Sequence, residues 1–379
     1  MDPARLQEIL ARKAAVEGSR APDGEPLSIE DFRPAPRTSE LAGEILEAAQ
    51  ERRLTGGELL LLFEEASFAD LAAVAHELRL RRADPEVVTY GVDIPVETLT
   101  SDPDRGETTG SEAGASVRGE TTGSEPAASG RSESTGSAPG ARIVLQGDHP
   151  AAESLESCEE LLRSPKGAYP RLPIVGLGPS DIERFVRESG LAPRAVLERL
   201  RDAGLDALSG ADAVILDDRV RQLLDPDALP VATWLGLMEE AHGVGLGATA
   251  TMTFQHVESY PERVEHLVRL RDSQDRTGGY TAFVPWTAAA AGFSVSPRRS
   301  ELAALIARHA DVGVLDFLRT LAVCRVALDN FPIIRAHGIP EEATVAGLAL
   351  HCGANELGLD AAADTYALII ATGFEPVPR

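Results

Sequence analysis

The chain is short of lysine, cysteine and aromatic side chains, and each shortage rules something out. Lys13 and Lys166 are its only lysines, so nearly all of its positive charge is arginine. Cysteine occurs 3 times, as Cys158, Cys324 and Cys352. Three widely spaced thiols make no disulfide framework and suit a reducing cytosol. Aromatic residues are 4% of the chain, which leaves Ala, Leu and Val to fill any core. No apolar run reaches the roughly 20 residues that span a bilayer. Residues 1–10 lack the basic and apolar halves of a signal peptide. A soluble, cytoplasmic protein is expected. The 8 histidines show no ligand spacing such as HExxH, so no metal site is expected from them. The stretch GVGLG at 243–247 leads from helix into strand, the reverse of a dinucleotide-binding turn. Neither a GxSxG elbow nor a Walker loop is present.

What is present in excess is negative charge. The 60 acidic residues against 36 basic ones give a net charge of −24. Phosphate recognition needs clustered Lys and Arg, so nucleic acid is not expected as a partner. An anionic membrane surface is disfavoured for the same reason.

Residues 1–38 carry scattered Pro, Gly and charge and read as an irregular arm with one short helix over 3–16. Helical spacing begins after Ser39, with Leu41, Ile45 and Ala48 on one face and Thr55 with Glu58 as a capping box. The run at 57–82 reads as two helices broken near Ser67, and the β-branched VVTYGVD at 87–93 as a strand. Residues 39–99 thus form N-terminal helices and a first strand. The segment 100–141 is different: RGETTGSEAGASV, RGETTGSEPAASG and RSESTGSAPGA follow one another from residue 105. These 13-residue units have almost nothing apolar to bury and cannot offset the entropy of ordering, so a disordered, duplicated linker is expected.

From 142 to 296 strands and helices alternate. RIVLQG, RLPIVGLG, ATATMTF and YTAFVPW read as strands. SLESCEELLR, VATWLGLMEEAHG and PERVEHLVRLRDSQ read as helices. A further helix starts near Pro179, with Ser180 as N-cap and Glu183 closing a capping box. Another starts at Pro193, places Val196, Leu197 and Leu200 on one side and stops at Gly204. Continuously apolar strands between helices mean a parallel sheet covered by helices, with its site at the C-terminal strand ends. Residues 297–379 read as mostly helical, with GFEPVPR as a short packed tail.

Several stretches resemble radical S-adenosylmethionine (SAM) enzymes of the futalosine route to menaquinone, above all cyclic dehypoxanthinyl futalosine synthase. Aminofutalosine synthase and the deazaflavin cofactor synthases share the pattern. The matching segments are VLERLRDAGLDAL at 196–208, TATMTFQHVES at 249–259, RVEHLVRLRDSQDRTGGYTAFVPW at 263–286, FLRTLAVCRVALDNFPIIRA at 317–336 and GLALHCGANELG at 347–358. The resemblance implies an α/β fold: a partial (β/α)6 radical-SAM-type barrel with helical N- and C-terminal additions.

Enzymes of this family hold a [4Fe–4S] cluster through CxxxCxxC just after the first barrel strand, with the fourth iron left to bind SAM. Here that position reads IPVETLTSDPDRG, with no cysteine, and Glu97 and Asp102 are hard, poor substitutes. The family's QGG strand end has become Gln146-Gly147-Asp148-His149-Pro150, and its PGGGAE has become Ser209-Gly210-Ala211-Asp212-Ala213-Val214. Neither the cluster nor SAM is therefore expected to bind, and no catalytic residue is assigned. Gln146, Gly147 and Pro150 are remnant SAM-side positions. His256, Glu258, Trp286 and Asn355 are remnant substrate-pocket positions. Three readings stay open. The first is a degenerate homologue without radical chemistry, which binds a nucleoside-like molecule or pairs with an intact paralogue. The second is a menaquinone enzyme using a partner-supplied cluster or cluster-free chemistry, and the third is a decaying gene product. The missing first βα unit would bare on the order of several hundred Å² of apolar surface, at ~25 cal/mol per Å². A homo-oligomer is one way to cover it.

Overall fold

The computed structural model describes residues 37–96, 141–145, 152–288, 313–337, 343–358 and 362–378. The helix expected over 3–16, the repeat segment and Gln146, Gly147, Asp148, His149 and Pro150 lie outside the described residues. The chain divides into two compact units, Met1–Arg37 and Thr38–Arg379, and every element described belongs to the second. No described helix is long and apolar enough to cross a membrane.

Three helices open the unit. In α1 (Glu40–Ala48) the Ser39 hydroxyl accepts the Ala42 N–H, and the buried stripe is Ala42, Ile45 and Leu46. Of the expected face, Ile45 is buried and Ala48 packs half-buried against the core, but Leu41 is half exposed. Thr55 and Glu58 do close a capping box on α2 (Gly56–Glu65), and Ser67 caps α3 (Phe68–Leu80) where the break was expected. Both α2 and α3 pack on the later helix α10 (Gly313–Ala327).

The strand expected over 87–93 is two strands, β1 (Val87–Tyr90) and β2 (Val92–Pro95), separated by Gly91. Then come β3 (Ala141–Leu145), α4 (Leu155–Ala168), β4 (Ile174–Gly176), α5 (Pro179–Ser189) and α6 (Pro193–Ala203). α5 is not capped by Ser180. Gly178 is the N-cap, and its N–H donates to the Asp181 carboxylate at 2.9 Å, so the box sits two residues earlier than expected. Gly190 ends α5 with φ +71. α6 buries Val196, Leu197 and Leu200 and stops at Gly204, as its sequence suggests.

The chain continues through β5 (Ala207–Leu208), a 3-10 turn at Ala211–Ala213, α7 (Asp218–Leu224), α8 (Val231–Gly243), β6 (Gly247–Phe254), α9 (Tyr260–Thr277) and β7 (Tyr280–Thr287). Strands β2 to β7 form one parallel sheet in sequence order. This is the expected six-stranded partial barrel. Beyond α10 the chain is less helical than expected: β8 (Arg335–His337), α11 (Ala343–His351), β9 (Glu356–Gly358), α12 (Ala362–Ala371) and β10 (Glu375–Pro378) follow. The three strands join β1 in a second parallel sheet ordered β10-β1-β9-β8, so the GFEPVPR tail is an edge strand. A parallel bridge from Phe283 to Ile334 links β7 to the second sheet, and β1 runs on into β2. The two sheets thus meet at both ends. The core lies between the strands and their helices, where Ile143, Ile174, Leu208 and Met252 meet Cys158, Leu197, Trp234 and Leu267, all fully buried.

Candidate functional site at the strand ends

Alternation along the strands decides which side chains line the inner face. On β3, Ala141, Ile143 and Leu145 are buried, while Arg142 and Val144 turn the other way and are only half-buried. Thr249, Thr251 and Thr253 of β6 share a face and stand in register with Ala282, Val284 and Trp286 of β7. Arg335 and His337 of β8 face Glu356 and Gly358 of β9.

These inward positions carry several charged and polar side chains. Arg142 Nε donates to Asp93 at 2.6 Å across β3 and β2. Arg335 donates to Glu356, and the Thr89 hydroxyl donates to the same carboxylate at 3.1 Å. Burial pushes the Arg335 guanidinium below its ordinary range, and Glu356 opposes that shift. Trp286 and His337 bring their rings to 4.3 Å at the C-terminal ends of β7 and β8. Trp286 is half-buried there. Gly358 leaves room for the His337 ring, since a Cβ would meet His337 Cδ2 at 2.6 Å.

His256 and Glu258, at the end of β6, are both buried. Glu258 accepts the Gln255 N–H at 2.8 Å and the His256 N–H at 2.9 Å. Arg263 Nε donates to it at 2.8 Å, and Arg263 Nη1 donates to Asp316 at 2.9 Å and to the Thr320 hydroxyl at 2.8 Å. The guanidinium lies 4.7 Å from the centre of the Phe254 ring. Tyr260 donates to the other Asp316 oxygen at 2.9 Å. Burial alone would raise the Glu258 pKa, but Arg263 and His256 hold its carboxyl well below the usual carboxylate range. His256 Nε2 donates to the Thr253 carbonyl at 2.9 Å. Glu258, through Arg263, therefore ties the end of β6 to α9 and α10.

Asn355 is occupied in a similar way. Its Oδ1 accepts from Arg325 and from the Ile334 N–H, each at 2.8 Å, and its Nδ2 donates to the Pro332 carbonyl at 3.0 Å. The structure thus brings Trp286 to the inner face and builds His256, Glu258 and Asn355 into buried networks. Sequence reasoning missed Asp93, Arg142, Arg335 and Glu356, whose partners lie on other strands.

The backbone at the strand ends is strained. Leu177, Val214 and Gln255 have φ of 56°, 49° and 66°, the only positive values at non-glycine residues among those described. They follow β4, the 3-10 turn after β5, and β6. Such conformations cost of order 1–3 kcal/mol each and cluster at functional sites. The altered glycine stretch at 209–214 also has a structural account. Asp212 accepts the Ser180 N–H at 2.8 Å and the Trp234 indole N–H at 2.7 Å, so its carboxylate sits on the first turn of α5. The retained Gly210 lets the chain approach β6, where a Cβ would meet the Thr249 carbonyl at 2.4 Å.

The thiols do not fit an iron–sulfur cluster. Cys158 lies on α4, Cys324 on α10 and Cys352 just past α11, and all are buried. A cluster ligand must be a thiolate. Burial pushes the Cys158 and Cys352 thiols up to about 12 and that of Cys324 higher still. Among the described residues no group of three or more His, Cys, Asp or Glu is placed to hold a metal.

No protein-family model matches the chain. Cyclic dehypoxanthine futalosine synthase of Streptomyces coelicolor is 36% identical over 219 residues, 58% of this chain and 52% of that protein. The chain spans about half the length of several such relatives. The match extends further in 5-amino-6-(D-ribitylamino)uracil–L-tyrosine 4-hydroxyphenyl transferase 1 of Methanosarcina mazei, which is 30% identical over 326 residues, 84% of this chain and 82% of that protein. The chain belongs to this radical SAM family. The fold agrees. The FeFe-hydrogenase maturase HydG of Carboxydothermus hydrogenoformans superposes with a TM-score of 0.61 at 13% identity, over 89% of this chain and 80% of that one. Within the radical SAM framework, the inner face and strand ends described above occupy the C-terminal side where parallel barrels carry their sites.

Proposed function

We propose that this chain is a radical SAM family member that has lost the radical step and keeps the barrel mouth for binding. Its ligand is a small nucleoside-like molecule, bound alone or while the chain acts beside an intact paralogue. One observation carries the reading: the sequence has no CxxxCxxC, and its three thiols are buried on α4, on α10 and just past α11. Neither the [4Fe–4S] cluster nor SAM then has its ligands, and no step passes through them.

Retention of a binding mouth rests on other features. Strained residues cluster at active sites and ligand clamps, where the surrounding structure holds them. Strained backbone follows β4, the 3-10 turn after β5, and β6. The half-buried Trp286 with His337 offers a ring surface at the same level. Asp93 and Arg142 supply a paired acid and base further round the inner face.

The deciding measurement is iron and sulfide content after anaerobic reconstitution, with visible spectra before and after SAM. The expected result is no bound iron and no spectral change. About four irons per chain and SAM cleavage would sink the proposal. A second reading, a menaquinone enzyme with a partner-supplied cluster or cluster-free chemistry, draws on the polar inner face. It predicts iron only in a complex, or turnover of a futalosine-type substrate without iron.

A further inference from the structure

Helices α1 and α3 leave a groove between them with a volume of about 540 Å³. Its floor is Gly43 and Leu46 from α1 and Ala73 and Val74 from α3. Both rims are acidic, with Glu40 and Glu47 on one side and Asp70 and Glu77 on the other. An apolar floor between two lines of carboxylates matches a helix with one apolar face and cationic flanks.

Gly43 carries the argument further. It lies inside α1, where glycine is less stable than alanine. A Cβ added at Gly43 would meet nothing within 4 Å among the described residues, so their packing does not call for a glycine. What a bare Cα permits is close approach by a backbone from outside. The charge is also unbalanced. α1 contains Glu40, Glu44 and Glu47 and no basic residue. Glu40 and Glu47 have no ion pair among the described residues, whereas Glu77 pairs with Arg81. A second copy of this chain is a poor occupant, because a net charge of −24 on each copy opposes association.

We propose that the α1–α3 groove docks a basic amphipathic helix of a partner protein. Its apolar face rests on Leu46 and Val74, its backbone crosses Gly43, and its Lys or Arg side chains reach both rims. This is the helix-in-groove mode of recognition. The contact is independent of the barrel mouth and of any ligand there.

The test uses the full chain and a labelled helical peptide of about 14 residues, ~21 Å long, with a leucine face and a lysine face. A companion peptide carries glutamate in place of lysine. Fluorescence anisotropy is expected to give a micromolar-range Kd for the lysine peptide and no binding of the glutamate peptide. Gly43→Phe, which fills the floor, and the double variant Glu40→Lys/Glu47→Lys should each weaken binding about tenfold or more, with unchanged far-ultraviolet circular dichroism. Glu156→Lys/Glu198→Lys makes the same charge change on α4 and α6 and should alter Kd by less than about twofold. Loss of binding in that control to the same degree would reduce the effect to bulk charge and overturn the proposal. So would an affinity insensitive to Gly43→Phe, absence of binding by the lysine peptide, or self-association of the chain abolished by Gly43→Phe.

Discussion

Replacing Glu258 by glutamine keeps its shape and removes its charge, which makes the buried network at the end of β6 directly testable. In the native chain one carboxylate oxygen takes the Gln255 N–H and Arg263, and the other takes the His256 N–H. An amide must turn its NH2 toward one of these donors, whichever way it sits. Arg263 would keep Asp316 and Thr320 but lose its closer carboxylate, 2.6 Å from Nη2. The side chains involved are 1% and 5% exposed, so water cannot substitute. Removing one partner of such a pair costs about 3–5 kcal/mol, and Asp316 keeps the expected loss near the lower figure. Urea denaturation of Glu258→Gln at pH 7 should therefore show about 3 kcal/mol less stability than the native chain. The pH dependence gives a second check. The folded carboxyl titrates well below the unfolded one, which lies near ~4.3. Its contribution is fully present above that value and is lost as pH falls toward the folded pKa. The deficit of the variant should accordingly be largest at neutral pH and shrink below about pH 4. A deficit under about 1 kcal/mol, or one that stays constant into acid, would refute the reasoning.

Asp212→Ala removes the acceptor of the Trp234 indole N–H, which is buried with the fully buried ring. A loss of about 1–3 kcal/mol is expected, with Asp212→Asn recovering part of it; equal losses for the two variants would contradict the assignment. Val214→Gly should relieve the strained backbone at φ 49° and leave stability unchanged or raised by about 1 kcal/mol. Val220→Ala, at a fully buried valine of α7, should cost about 1–3 kcal/mol in the same assay; matching losses at 214 and 220 would show that no strain is stored at Val214.

Much of the fold was legible because its determinants are local. The Thr55–Glu58 box on α2, the Pro193 start and Gly204 stop of α6, and the long apolar strands β6 and β7 all sit within a few residues of one another in the chain. β8, β9 and β10 were missed for the opposite reason. Each has three or four residues, too few for a period of two to register. β8 and β9 carry Arg335, His337 and Glu356 on one face, where an isolated sequence suggests a solvated segment. The cap of α5 was misplaced because Ser180 with Glu183 is the stronger local signal, while the path out of β4 puts Gly178 at the N-cap and leaves only Asp181 to accept its N–H.

What the sequence by itself determined is chemical identity. It shows that no clustered thiols exist, that the charge is strongly negative, and that the strand and helix order follows a radical SAM family. No folding can supply a missing ligand atom. Tertiary structure alone decided which polar residues remain available. His256, Glu258 and Asn355 read as pocket residues from their places at strand ends, yet each is bonded into a buried network: Asn355 holds Arg325 directly, and Glu258 with His256 is tied through Arg263 to the distant Asp316 and Thr320. Asp93, Arg142, Arg335 and Glu356 look unremarkable in sequence and meet across strands on the inner face. A side chain's type is local, but its partners are set by register and packing, and in a low-dielectric interior the partners decide what the group can do.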